Sequence, residues 1–132
     1  MNIELLRKGY KINLEIESKK EVIEELRASL DGLKGIKVTE KVQGKSISGD
    51  DKFVNKLNKI LEMEKEIDRL KDFKFELSEA IDRVENVLER TLLRYRYILG
   101  FTWEEISEKM GYSLRQVIRI HRKALKNFNM CH

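Results

Sequence analysis

Near the carboxy terminus, Arg115, Gln116, Arg119, Arg122, Lys123 and Lys126 crowd into twelve positions with no acid among them. These are the residue types that bond nucleic acids. A guanidinium matches the paired acceptors of guanine, a carboxamide pairs with adenine, and any cation neutralises phosphate. Such chemistry needs the side chains on one rigid face, so the question is which element carries them.

Two helix starts eleven residues apart answer it. Thr102-Trp103-Glu104-Glu105 and Ser113-Leu114-Arg115-Gln116 are both capping boxes. In each, a hydroxyl accepts from the third amide while Glu or Gln reaches back to the cap amide. Between them, Gly111 follows Met110 and can adopt the left-handed conformation that closes a helix. The spacing predicts a short helix over 103–110, a tight turn, and a second helix over 114–128, the pattern of a helix-turn-helix. Ile106 and Met110 lie four apart on the first. Val117, Ile120 and Ala124 recur at three and four on the second, widened by Leu125 and Phe128. Tyr97, Phe101 and Trp103 are expected to complete that core. The basic residues fall off the apolar stripe, as a major-groove reader requires.

Composition bounds the rest. The 132 residues are 38% charged, with no proline and a single cysteine, Cys131. That favours solvated helices and leaves no disulfide framework within one chain. Nothing at the amino terminus resembles a signal peptide and no apolar run approaches a membrane span, so a cytoplasmic protein without membrane contact is expected. Charge is uneven. Residues 90–132 hold nine Lys/Arg against three acids, a net of +6, leaving −2 on residues 1–89. A basic carboxy-terminal module on a slightly acidic partner region is implied.

Upstream, the apolar residues Ile12, Ile16, Ile23, Leu26, Leu30 and Leu33 follow helical spacing, with Lys19 in the skipped seam position. Gly9 weakens the preceding turn by up to about 1 kcal/mol. Residues 31–50 contain four glycines and read as a flexible loop. Phe53, Leu57, Ile60, Met63, Ile67, Leu70, Leu77, Ile81, Val84 and Leu88 then form a second seam of about five heptads, with Lys74 in its gap. With no proline, and no glycine before Gly100, a helix over 51–99 could run unbroken, with a bend near 89–91. The expected fold class is all-α: a long antiparallel, coiled-coil-like helical hairpin over 1–89, then a helix-turn-helix domain over 90–132. The first helix can cover only part of the second, so the exposed seam makes a homodimer through the coiled coil a candidate assembly.

The run LLRYRYILGFTWEEISEKMGYSLRQVIRIHRKALKNF resembles region 4 of the sigma-70 family of bacterial RNA polymerase subunits. The shared features are an Arg-Tyr helix, Thr-x-Glu-Glu-Ile, Gly-x-Ser at the turn, and Val-x-x-Ile followed by Lys-Ala-Leu. With the heptad region and Gly/Ser segment, the whole chain resembles small phage and prophage proteins of Gram-positive bacteria described as late transcriptional regulators. The resemblance implies binding to double-stranded promoter DNA at a −35-like element and contact with bacterial RNA polymerase. It places base readout at Arg115, Gln116 and Arg119. Leu114 departs from the usual polar residue and Ile118 from a commonly basic one. Lys123 matches the Lys of Lys-Ala-Leu near a phosphate, and Arg122 and Lys126 join it on charge and spacing. Thr102 and Trp103, at a helix amino terminus, could also meet the DNA backbone.

The chain has no room for the sigma region that melts the −10 element, so a recruiting activator or half of a split sigma is expected. Two alternatives stand beside it: a phage packaging subunit resembling a small terminase, and a polymerase-binding module without base readout. No catalytic residues are expected, since no nucleophile stands beside a base and no phosphate loop is present. His121, Cys131 and His132 lack the spacing of a closed metal site, and no cofactor is implied.

Overall fold

The computed structural model describes the backbone of residues 3–43 and 47–131 and the side chains of residues 3–31 and 52–130. Its elements are all helical: α1 (Ile3–Gln43), α2 (Ile47–Asp82), α3 (Val87–Leu93) continuing into a π-helical segment (Arg94–Ile98), α4 (Trp103–Met110) and α5 (Leu114–Cys131). The fold is all-α. Helical backbone covers most of 31–50, where the glycines predict a flexible loop; residues 44–46 of that stretch lie outside the described residues. A glycine inside a helix costs only about 1 kcal/mol, whereas a proline, which this stretch lacks, costs about 3.

The chain divides into two compact units. One comprises Ile16–Arg69; the other joins Met1–Glu15 to Leu70–His132. These units are defined by contacts within the chain, whereas the division expected at residue 90 separates a heptad region from a basic helix-turn-helix region.

Within Ile16–Arg69, Ile16, Ile23 and Leu30 are buried, as are Ile60, Met63 and Ile67. Lys19 Nζ lies 3.4 Å from Glu66 Oε1, Arg27 pairs with Glu64, and Lys56 Nζ donates to Ser29 Oγ at 2.6 Å. As residue numbers rise along α1 they fall along α2, so these stretches run antiparallel. Lys19 does occupy the seam, its stem mostly covered and its ammonium reaching a carboxylate. Leu57, expected in the seam, is 40% exposed.

In the other unit, Leu6, Leu77, Ala80, Ile81, Val84, Leu93, Tyr97, Ala124 and Phe128 form one buried cluster. Leu92, Ile106 and Val117 form a second, flanked by Tyr95, Phe101, Trp103, Met110, Tyr112 and Ile120. Gly9 is buried here, and a Cβ on it would collide with Leu77 Cδ2. The residue that weakens α1 locally is what allows α1 to approach Leu77.

The helix expected over 51–99 breaks at 83–86. Asn86 begins α3 by accepting from the Glu89 amide at 3.0 Å. Arg90 Nη1 donates to the Val84 carbonyl at 2.8 Å, satisfying an acceptor in the turn that follows α2. Burial of Val84 completes the turn. The seam phase therefore ends at Val84, and Leu88, expected to continue it, is 42% exposed. Asn86-x-x-Glu89 was the local signal for this break: an Asn cap followed by an acid at the third position.

Candidate nucleic-acid interface

Leu93 to Phe101 set up the last two helices. Leu99 N donates to Arg94 O at 3.0 Å, closing the wide turn of the π segment. Gly100 then takes φ +74°, and Phe101 N donates to Tyr95 O at 2.9 Å. Asn13 packs against Gly100, where a Cβ would meet it at 3.2 Å, and its Nδ2 donates to Tyr97 O at 3.3 Å. The glycine is needed for its φ and for this close approach.

The Arg96 guanidinium lies 4.1 Å from the Tyr10 ring centroid and 4.3 Å from that of Trp103, and donates to Phe101 O at 3.0 Å. The Tyr97 hydroxyl lies 2.7 Å from His121 Nε2, and the Trp103 ring meets His121 edge-on at 4.6 Å. Burial lowers the His121 pKa to about 4, with Arg96 adding a smaller push in the same direction. Burial also raises the Tyr97 phenol. His121 is therefore neutral at pH 7, a packing and hydrogen-bonding group rather than a cation for phosphate.

Both capping boxes form. Thr102 Oγ1 accepts from Glu105 N at 3.1 Å, and Glu105 Oε1 accepts from Thr102 N at 2.8 Å. That amide, with the Thr102 hydroxyl, holds the exposed Glu105 carboxyl below its ordinary pKa. Gly111 closes α4 at φ +73°, as its position predicts, and Gly111 N and Tyr112 N both donate to Ser107 O. Ser113 starts α5, accepting from Gln116 N at 3.2 Å while its own amide donates to Gln116 Oε1 at 3.1 Å.

This frame orients α5. At about 100° per residue, Arg115, Arg119, Arg122, Lys123 and Lys126 fall within about 100° of arc. Val117, Ala124 and Phe128, each fully buried, occupy the opposite side. Arg115, Ile118, Arg119 and Arg122 line a common open cleft. All five cations are exposed, and among the described residues no carboxylate forms an ion pair with them. The arrangement can accept an anion or a row of hydrogen-bond acceptors.

The other expected site residues sit differently. Gln116 is exposed but its Oε1 serves the Ser113 cap, leaving the Nε2 hydrogens as its outward donors. Thr102 is exposed, with its hydroxyl engaged by Glu105. Trp103 is half-buried between Arg96 and His121. Arg94, which is outside the expected set, bonds Asp82 Oδ1 through Nη2 at 2.7 Å. Sequence reasoning missed the supports: Tyr10, Arg96, and buried Glu89, whose Oε1 accepts from Asn127 Nδ2 at 2.6 Å. Tyr10 and Arg96 carry no local signal, because the partners are distant in the chain. Among the described residues no group of His, Cys, Asp and Glu could hold a metal ion, and no helix is long and apolar enough to cross a membrane.

The family described as "Protein of unknown function (DUF1492)" matches residues 33–129. None of the curated proteins and none of the solved structures compared with the chain matches it.

Proposed function

We propose, for a chain that belongs to the family described as protein of unknown function (DUF1492), that it is a sequence-specific DNA-binding transcription regulator. In this reading α4 and α5 are a helix-turn-helix, α5 enters the major groove of a −35-like promoter element, and the protein contacts RNA polymerase. The observation that carries it is the exposed basic arc of α5, opposite the fully buried Val117, Ala124 and Phe128. A helix so anchored presents its cations in fixed register, which base readout requires. Arg115, Gln116 and Arg119, on the first turns after the cap, contact base edges. Arg122, Lys123 and Lys126 hold phosphates, and Thr102 stands beside the backbone. Trp103 acts from behind, by positioning Arg96 and His121.

The test is selection of bound duplexes from a random pool, with and without RNA polymerase. An enriched −35-like motif supports the reading, and a motif found only with polymerase makes the chain a recruited subunit. No motif in either case overturns it. On the selected site, Arg115→Ala or Arg119→Ala should cost about 1–3 kcal/mol and relax specificity. Lys123→Ala or Lys126→Ala should weaken all sequences alike and reduce the salt slope by about one.

A further inference from the structure

Ile118 is the one hydrocarbon wall of the arginine-lined cleft on α5. It follows Arg115 by three positions and precedes Arg122 by four, so two of its four neighbours along the helix surface carry guanidinium groups, Leu114 and His121 being the others. It is half-buried, yet among the described residues it is not part of a core cluster. Ile118 packs into neither apolar cluster of its unit, although Val117, Ile120, Ala124 and Leu125 around it all do. A helix face that only gripped phosphates would gain nothing from an isoleucine there, since every base has the same backbone. In the major groove, however, thymine alone among the four bases presents a methyl group at C5, and an aliphatic side chain is its natural contact.

We infer that Ile118 reads a thymine 5-methyl group, making it a specificity-determining residue that works by apolar contact amid the arginines. The inference rests on the promoter-reading function proposed above. In it, Arg115 and Arg119 bond polar base edges on one side of the cleft. Ile118 covers the methyl of a neighbouring thymine on the other. The β-branched side chain is stiff, so the contact loses little entropy on binding.

Uracil in place of thymine removes this methyl and leaves every hydrogen-bonding group unchanged, so the duplex itself supplies the probe. Each thymine of the selected site is replaced by uracil in turn, and binding of the full chain is measured. One position should weaken binding about fourfold, the worth of one buried methylene-sized group. Ile118→Ala should bind thymine and uracil duplexes alike at that position, whereas Ile118→Val should keep part of the preference. Leu114→Ala, a change at the neighbouring exposed apolar residue, should leave the preference intact. The inference is overturned if no thymine shows the penalty, if the penalty survives Ile118→Ala, or if Leu114→Ala is what abolishes it. The scan with the unchanged chain decides the first outcome without any variant having to fold. A pool that yields no motif overturns the promoter-reading function itself, a failure distinct from a motif whose thymines tolerate uracil.

Discussion

The two compact units solve the same problem, holding helices together, with different means. Among the described residues of Ile16–Arg69 the buried ones are aliphatic or Met at helical spacing; Arg27–Glu64 joins half-exposed side chains, and Lys19 of the Lys19–Glu66 link is mostly covered. In the other unit the links between elements are specific. Arg96 sits against Tyr10 and Trp103, Tyr97 bonds His121, Asn127 bonds Glu89, and Asn13 bonds the Tyr97 carbonyl. Charge follows the same division. Ile16–Arg69 holds twelve Lys/Arg and twelve Asp/Glu, so the chain's net +4 belongs entirely to the other unit. A repeating seam suffices where only association of two helices is needed. Geometry that must place a row of cations requires directional contacts, because apolar contact alone tolerates small sliding and rotation.

That contrast can be broken most severely at Phe128, which is fully buried in the cluster that also holds Leu6 and Tyr97. Phe128→Ala should cost about 3–5 kcal/mol in chemical denaturation. An effect near 1 kcal/mol would mean that this unit is no better packed than a loose seam.

Gly9→Ala sharpens the point through its sign. Helix propensity predicts a gain of up to about 1 kcal/mol. The buried Leu77 methyl occupies the space a Cβ needs. We therefore expect a loss of about 1–3 kcal/mol, as for other overpacked sites. A rise in stability would show that the close approach of Gly9 to Leu77 is not maintained.

The pH dependence should also separate the units. His121 titrates near 4 when folded, against 6.5 for the free side chain. Between these values the unfolded chain binds more protons than the folded one, so stability rises with pH through this window and falls on acidification from 6.5 to 4. His121→Gln should flatten that part of the profile, measured as denaturation midpoints at successive pH values. An unchanged slope would exclude His121 as its source.

The smallest effect is expected at Arg27→Ala. Both partners of its ion pair with Glu64 are about half exposed, so less than about 1 kcal/mol should be lost, and less still at high salt. A larger cost would make the seam unit as dependent on specific links as the other.

Much of α4 and α5 was legible in the sequence. Thr102, Gly111 and Ser113 act on groups within five residues of themselves, so their roles depend on local geometry alone. The placement of Val117, Ala124 and Phe128 opposite the cations is likewise a matter of helical period. The exposed cations were therefore foreseeable, as was Lys19 in its seam. The break at 83–86 was harder to read. The apolar period runs through Val84 to Leu88 without a fault, and only the Asn86 cap marks the stop.

The amino-acid sequence by itself determined the helical class, the caps, the turn at Gly111 and the two faces of α5. These follow from hydrogen bonds and side-chain spacing within one or two turns, which neighbouring residues settle among themselves. Only the tertiary structure decided that Gly9 should lie against Leu77, that Asn13 should hold the Tyr97 carbonyl 84 positions away, that Arg96 should lie against Tyr10 and Trp103, and that His121 of α5 should bond Tyr97 instead of facing outward. Such pairings depend on which surfaces fit once helices pack, and shape complementarity between distant segments leaves no period in the chain to read.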